Sequence, residues 1–202
     1  MATTTRSGGA PTARRQAIET SLLEATETLL GEGIPFSELS VERIARRAGI
    51  SRTAFYFYFA DKRELLVRLT EDVNALILEQ ANLWWEREGN PADRVRQALE
   101  NSLAIHREHA ALLGAVAEAA TYDEMVAEHQ QRLVARVAEV TERHVEAENA
   151  AGNARCADPR ATSLALTLMT ETAFHRLNGT AYDEGLLDAL TAIWVRSIYL
   201  AD

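Results

Sequence analysis

Apolar residues recur at helical spacing along almost the whole chain. Ile18, Leu22, Ala25 and Leu29 step by four, three and four, and predict a helix that Gly31 and Gly33 end. Ser40 is a good N-cap for a short second helix whose inner face is Val41, Ile44, Ala45 and Ala48, with Gly49 as its stop. Five aromatics then stand in succession at positions 55 to 59. Asp61 and Glu64 form a capping-box pattern that opens a long helix. Its apolar face carries Leu65, Leu66, Leu69, Val73, Leu76, Ile77, Gln80, Leu83 and Trp84, and Gly89-Asn90-Pro91 breaks it. Amphipathic stretches follow at 92–107, 109–120 and 122–150, then a linker at 149–159. Two apolar helices at 158–177 and 184–200, separated by Asn178-Gly179, complete the chain. No period-two strand pattern is present. The expectation is an all-α fold of about nine helices.

Residues 1–11 are small and polar, with Gly8, Gly9 and Pro11, and read as a flexible arm. Residues 12–60 form a first domain and 61–202 a second. At 202 residues, 47% hydrophobic and 25% charged, the chain has an ordinary globular composition. No apolar run reaches the length of a membrane span or of a secretory signal, and the single cysteine, Cys156, makes no internal disulfide. A cytoplasmic location is expected.

The net charge of −9 argues against indiscriminate nucleic-acid binding, but its distribution is uneven. Residues 1–70 hold 10 basic and 8 acidic side chains, whereas 71–202 hold 11 basic and 22 acidic. Between Leu39 and Arg63 stand six basic residues (Arg43, Arg46, Arg47, Arg52, Lys62, Arg63) against two acidic ones, Glu42 and Asp61. A mildly basic head therefore precedes an acidic body.

Within the head, SVERIARRAGISRTAFYFY at 40–58 has the spacing of a helix-turn-helix. Val41, Ile44, Ala45, Ala48 and Ile50 pack the two helices while Gly49 takes the turn. Ser51, Arg52 and Thr53 then occupy the N-terminal end of the recognition helix, where side chains meet base edges. An arginine there can bond both acceptors of a guanine edge, and hydroxyls such as those of Ser40 and Ser51 suit phosphates.

LSVERIARRAGISRTAFYFYFADKRELL, Leu39 to Leu66, resembles the DNA-binding domain of the TetR/AcrR family of bacterial one-component repressors. GISRTAFYFYFADK at 49–62, LALTLMTE at 164–171 and IWVRSIY at 193–199 match one subfamily at both ends of the chain. The resemblance implies a C-terminal helical domain that binds a small-molecule effector and forms a homodimer through its last two helices. It implies DNA contacts from Tyr56 and Tyr58 and a phosphate contact from Lys62, the chain's one lysine. Arg14 and Arg15 would clamp the DNA backbone or enter a minor groove, or belong to a solvated arm; Arg43, Arg46 and Arg47 touch phosphate or form a charged outer face. Where many members carry a phosphate-binding threonine this chain has Ala54, with Thr53 one place earlier.

In the body, Thr167, Thr170 and Glu171 interrupt an apolar helix containing Leu164, Leu168, Met169 and Phe174. By resemblance, positions 167 and 170 face a ligand channel with Trp194 near its end. Val126, Gln130 and Leu133 would line a second wall, Ser102 and His106 a third. The channel of the resembled repressor is strongly aromatic, whereas these positions are aliphatic or polar, so its ligand preference does not carry over. A mostly apolar effector with one or two hydrogen-bonding groups is expected. Leu186, Leu187, Leu190, Ile193, Trp194 and Ile198 make the last helix too apolar to stand exposed, which points to a dimer.

No nucleophile elbow, phosphate loop or metal-ligand spacing is present, so neither catalysis nor a cofactor is expected. The reading is a ligand-responsive repressor that binds a palindromic operator as a homodimer. The alternative is a helical small-molecule-binding protein or enzyme whose head no longer reads DNA.

Overall fold

The computed structural model describes residues 9–83, 89–177 and 184–199. The first eight residues of the expected arm, Trp84 and the Asn178-Gly179 separator lie outside the described residues. No strand occurs among those described. The chain divides into two compact units, 1–69 and 70–202, so the division falls after Leu69 rather than at the start of the helix that Asp61 opens.

The first unit contains α1 (Gly9–Gly31), a 3-10 turn (Phe36–Glu38), α2 (Val41–Arg47), α3 (Arg52–Phe55) and α4 (Lys62–Leu69). Helix α1 starts at Gly9, three residues inside the expected arm. Gly33 and Gly49 adopt the left-handed conformation (φ 80° and 74°) that lets the chain turn sharply after α1 and α2. Leu22, Leu29, Phe36, Leu39, Ile44, Phe55, Leu65 and Leu66 are buried and form this unit's core. Burial of each such side chain is worth about 1.5–3 kcal/mol.

The second unit contains α5 (Glu71–Leu83), α6 (Pro91–Glu108), α7 (Ala110–Ala120), α8 (Glu124–Ala150), α9 (Pro159–Leu177) and α10 (Glu184–Tyr199). The single long helix expected from Asp61 is thus broken at Thr70. Asp61 still caps α4, accepting from the amides of Arg63 and Glu64. Thr70 begins a new helix, its carbonyl taking the Asn74 amide at 2.8 Å and its hydroxyl lying 2.8 Å from Nε2 of His129 on α8.

Asn90 and Asp123 cap α6 and α8 with their side chains. The core runs along α6, α9 and α10 through Val95, Leu99, Leu103, Leu166, Phe174, Leu187, Leu190, Trp194 and Ile198. Four of the six apolar residues that marked the last helix for a partner are therefore buried within this chain. Among the described residues of the last two helices, the exposed large apolar side chains are Leu164, Leu168 and Ile193, each more than two-fifths exposed. The 149–159 linker is ordered: the Asn149 side chain donates to the Cys156 carbonyl (2.8 Å) and accepts from its amide (3.0 Å). That closure buries Cys156 in the core.

Candidate functional site

The N-terminal unit folds its motif as the spacing predicts. Ser40 Oγ accepts from the Arg43 amide and Ser51 Oγ from the Ala54 amide, so both serines are N-caps. Their hydroxyls still have a proton to offer a phosphate. Helix α3 is a single turn, prolonged by tighter turns through Tyr58, whose amide bonds the Phe55 carbonyl at 2.9 Å. Phe55 and Phe59, four apart, point into the core. Of the residues between them, Tyr56 (48% exposed) and Phe57 (74%) point away, and Tyr58 is half-buried. Arg52, Thr53, Tyr56 and Phe57 line one surface cleft. The Arg52 guanidinium lies 6.0 Å from the Tyr56 ring centre.

Phe57 was not singled out from the sequence, although the four-residue spacing of Phe55 and Phe59 already places it on the opposite side. Arg14 and Arg15 are exposed on α1. Arg15 pairs with Glu19 at 2.8 Å and holds its guanidinium 5.8 Å from the half-buried Tyr58 ring. Arg43 is exposed, with no ion pair among the described residues. Arg46 pairs with Glu42, and Arg47 grips Glu32 with two bonds of 2.7 and 3.0 Å. That bidentate contact lowers the Glu32 pKa and raises that of Arg47.

Lys62 is engaged within the unit. Its ammonium donates to the carbonyls of Phe36 (2.7 Å), Ser37 (3.2 Å) and Leu39 (2.8 Å) and lies 4.6 Å from the Phe36 ring centre. An ammonium has three protons, and here all three are directed at carbonyls of the 3-10 turn and its C-cap. Lys62 thus serves as an internal clamp on that turn.

In the second unit three small cavities with overlapping linings, of about 70, 50 and 70 Å³, lie among α5, α6, α7, α8, α9 and α10. The structure brings Ser102, His106, Gln130, Leu133, Thr167, Thr170, Glu171, Phe174 and Trp194 onto these walls. Val126 is not among them. It is wholly buried in the first turn of α8, and the cavity-facing part of that stripe begins one turn later, at Gln130.

The two threonines differ. Thr170 Oγ1 accepts a 2.9 Å hydrogen bond from the Trp194 indole, whereas the buried Thr167 Oγ1 has no partner. His106 Nδ1 lies 2.8 Å from the Ser102 carbonyl, which can only accept, so Nδ1 carries the proton and Nε2 is a bare acceptor. Burial pushes the His106 pKa down, which keeps the ring neutral at pH 7. Gln130 Nε2 donates to Glu171 at 2.7 Å. Ile77, Gln80, Val137 and Thr141 also line the walls and were not assigned there from the sequence. Gln80 carried a signal, a polar side chain within the apolar stripe of its helix, as Thr167 and Thr170 do in α9.

A helix-turn-helix with exposed polar side chains on its second helix, and a separate helical unit enclosing cavities, define a ligand-binding DNA regulator. The family model of bacterial regulatory proteins of the tetR family matches residues 22–69. The model of the C-terminal domain of the transcriptional regulator EthR matches 95–200. The HTH-type transcriptional regulator EthR of Mycobacterium tuberculosis is 32% identical over 192 residues, covering 90% of this chain and 87% of that protein. EthR of Mycolicibacterium smegmatis is also 32% identical, over 193 residues, covering 90% and 86%. This chain belongs to the TetR family of bacterial transcriptional regulators, with a C-terminal domain of the EthR type.

Solved structures share the fold. A TetR-family regulator of Mesorhizobium loti superposes with a TM-score of 0.70 at 17% identity, covering 90% of this chain and 96% of that one. FadR of Bacillus subtilis, solved in complex with stearoyl-CoA, gives 0.69 at 13% identity and covers 91% and 99%. The relatives are regulators rather than enzymes. No described helix is long and apolar enough to cross a membrane.

Proposed function

We propose that this regulator represses transcription by holding a palindromic operator as a homodimer, and that a mostly apolar effector in the second unit releases it. The observation that carries the DNA reading is the surface cleft formed by Arg52, Thr53, Tyr56 and Phe57 on the outer side of α3. Arg52 is the base-reading candidate, and Thr53, Tyr56, the two capping serines and Arg43 are the phosphate candidates. Arg14 and Arg15 remain candidates for a backbone or minor-groove contact. One such head makes few base contacts, so specificity comes from two heads on one symmetric site. Leu164, Leu168 and Ile193, exposed on α9 and α10, are the surface through which two copies would meet.

The effector would act through the spacing of the heads. Half-sites on one face of DNA are centred about 34–36 Å apart, or a multiple of that. A ligand that binds better to a dimer with another spacing lowers operator affinity by its differential affinity for the two states. Helix α5, which starts where the first unit ends, contributes Ile77 to all three cavities.

The test is selection of genomic fragments by the purified protein, followed by comparison of a selected fragment with random duplex. Arg52→Ala should cost about 1–3 kcal/mol on the selected fragment and much less on random DNA. Equal loss on both would overturn the base-reading role.

A further inference from the structure

The cavities hold an electrostatic imbalance that narrows the effector's chemistry. Among the described residues lining them, Glu171 is the one carboxylate, and no lysine or arginine takes part. Glu171 borders two of the three and sits on α9 above Thr167 and Thr170. Its hydrogen bond from Gln130 occupies one of about four lone-pair positions on the carboxylate. The other polar groups of the walls are neutral hydroxyls, carboxamides and imidazoles. His106 turns a bare Nε2 away from its Ser102 contact, and its neutral state is set by burial. The Thr167 hydroxyl is buried without a partner. His129 Nε2 faces the amide nitrogen of Asn74 at 3.0 Å, and burial followed by the charge of Arg132 pushes its pKa down, against a raising effect of Glu71. Arg132 is exposed on α8, pairs with Glu128 and does not line the cavities. His175, one turn after Glu171, is exposed at the rim of the polar end. The opposite end carries no charge and is mostly apolar, with Val95, Ala98, Leu99, Val137 and Trp194 beside the neutral Gln80, Ser102 and Thr141.

A carboxylate or phosphate ligand would bring a second negative charge to Glu171 with no cation in the walls to balance it. An ammonium brings the opposite charge to Glu171 and donors for its remaining lone pairs. We infer that the effector is a cationic amphiphile, an alkyl- or arylalkyl-ammonium, whose charged end is held by Glu171 while its apolar body lies toward Trp194. This rests on the reading of the cavities as the effector site and adds the ligand class to it.

The experiment is calorimetric titration of the full-length protein at neutral pH with n-decylamine, n-decanol and decanoate. The amine should bind one per chain and about tenfold tighter than the alcohol, with decanoate weakest. In Glu171→Gln, which keeps the shape and an oxygen for Gln130, the amine should fall to the level of the alcohol while alcohol binding persists. An alcohol or carboxylate that binds the wild-type protein as tightly as the amine would overturn the inference and leave the cavity reading standing. So would an amine preference that survives Glu171→Gln. Failure of all three probes to bind below about 1 mM would overturn the cavity reading itself.

Discussion

Lys62 caps Phe36 twice over, with Nζ 2.7 Å from its carbonyl oxygen and 4.6 Å from the centre of its ring. Together with the bonds to Ser37 and Leu39, this ties the start of α4 to the turn that leads into α2. Lys62→Met keeps the apolar stem and removes the ammonium. It should destabilise the protein by about 1–3 kcal/mol, the cost of leaving carbonyls without a charged donor. Urea denaturation measures this, and the salt dependence of operator binding should keep its slope. A slope lower by about one contact with unchanged stability would restore the phosphate role.

Thr170 and Thr167 should respond oppositely to the same substitution. Thr170→Val removes the acceptor of the Trp194 indole and should cost about 1 kcal/mol. Thr167→Val replaces a buried hydroxyl that has no partner and should be neutral or stabilising. Parallel denaturation curves decide. Thr167→Phe should in addition fill the space between the cavity ends and raise the effector concentration needed for release from operator.

Stability should fall on mild acidification. Burial holds the folded-state pKa of His106 below 6.5, and that of His129 is lowered in the same way. A depressed folded pKa means that the unfolded chain binds more protons in the window between the two values. The stabilisation is therefore complete above 6.5 and is lost as the pH drops through the folded-state pKa values. The urea midpoint should be lower at about pH 5.5 than at about pH 8, and His106→Gln should lessen the difference. An unchanged midpoint would contradict the burial argument.

A charge placed on the exposed apolar face of α9 should separate two copies. Leu168, 46% exposed, tolerates a polar group within the monomer. Leu168→Glu should convert a particle of about twice 22.3 kDa into one of 22.3 kDa in light scattering, with its helicity retained. A dimer that persists would place the interface elsewhere.

What the sequence made legible is local. Ser40, Gly49 and Ser51 act on neighbours three to five positions away, so their residue types alone announce the helix-turn-helix. The polar interruptions at Thr167, Thr170 and Glu171 mark a cavity wall because a packed helix has no use for them. What escaped depends on distant partners. The break at Thr70 is fixed by His129, 59 residues on, and Lys62 is occupied by carbonyls 23 to 26 residues earlier. Backbone carbonyls leave no mark in a residue pattern. The apolar last helix was readable as buried, but whether α6 or a second chain covered it was not.

Charge pairing within the first unit bears on how the regulator finds its site. Of the six basic residues between Leu39 and Arg63, three answer acidic neighbours (Arg46 to Glu42, Arg47 to Glu32, Arg63 to Asp61) and Lys62 answers carbonyls. Of those six, Arg43 and Arg52 are left, with Arg14 and Arg15 on α1, to displace counterions under the proposed function, and the chain as a whole carries −9. With so few cations outside such pairs, binding to arbitrary sequence should be shallow. Such a protein spends little of its time parked on the rest of the chromosome, so a small number of copies suffices to keep one operator occupied.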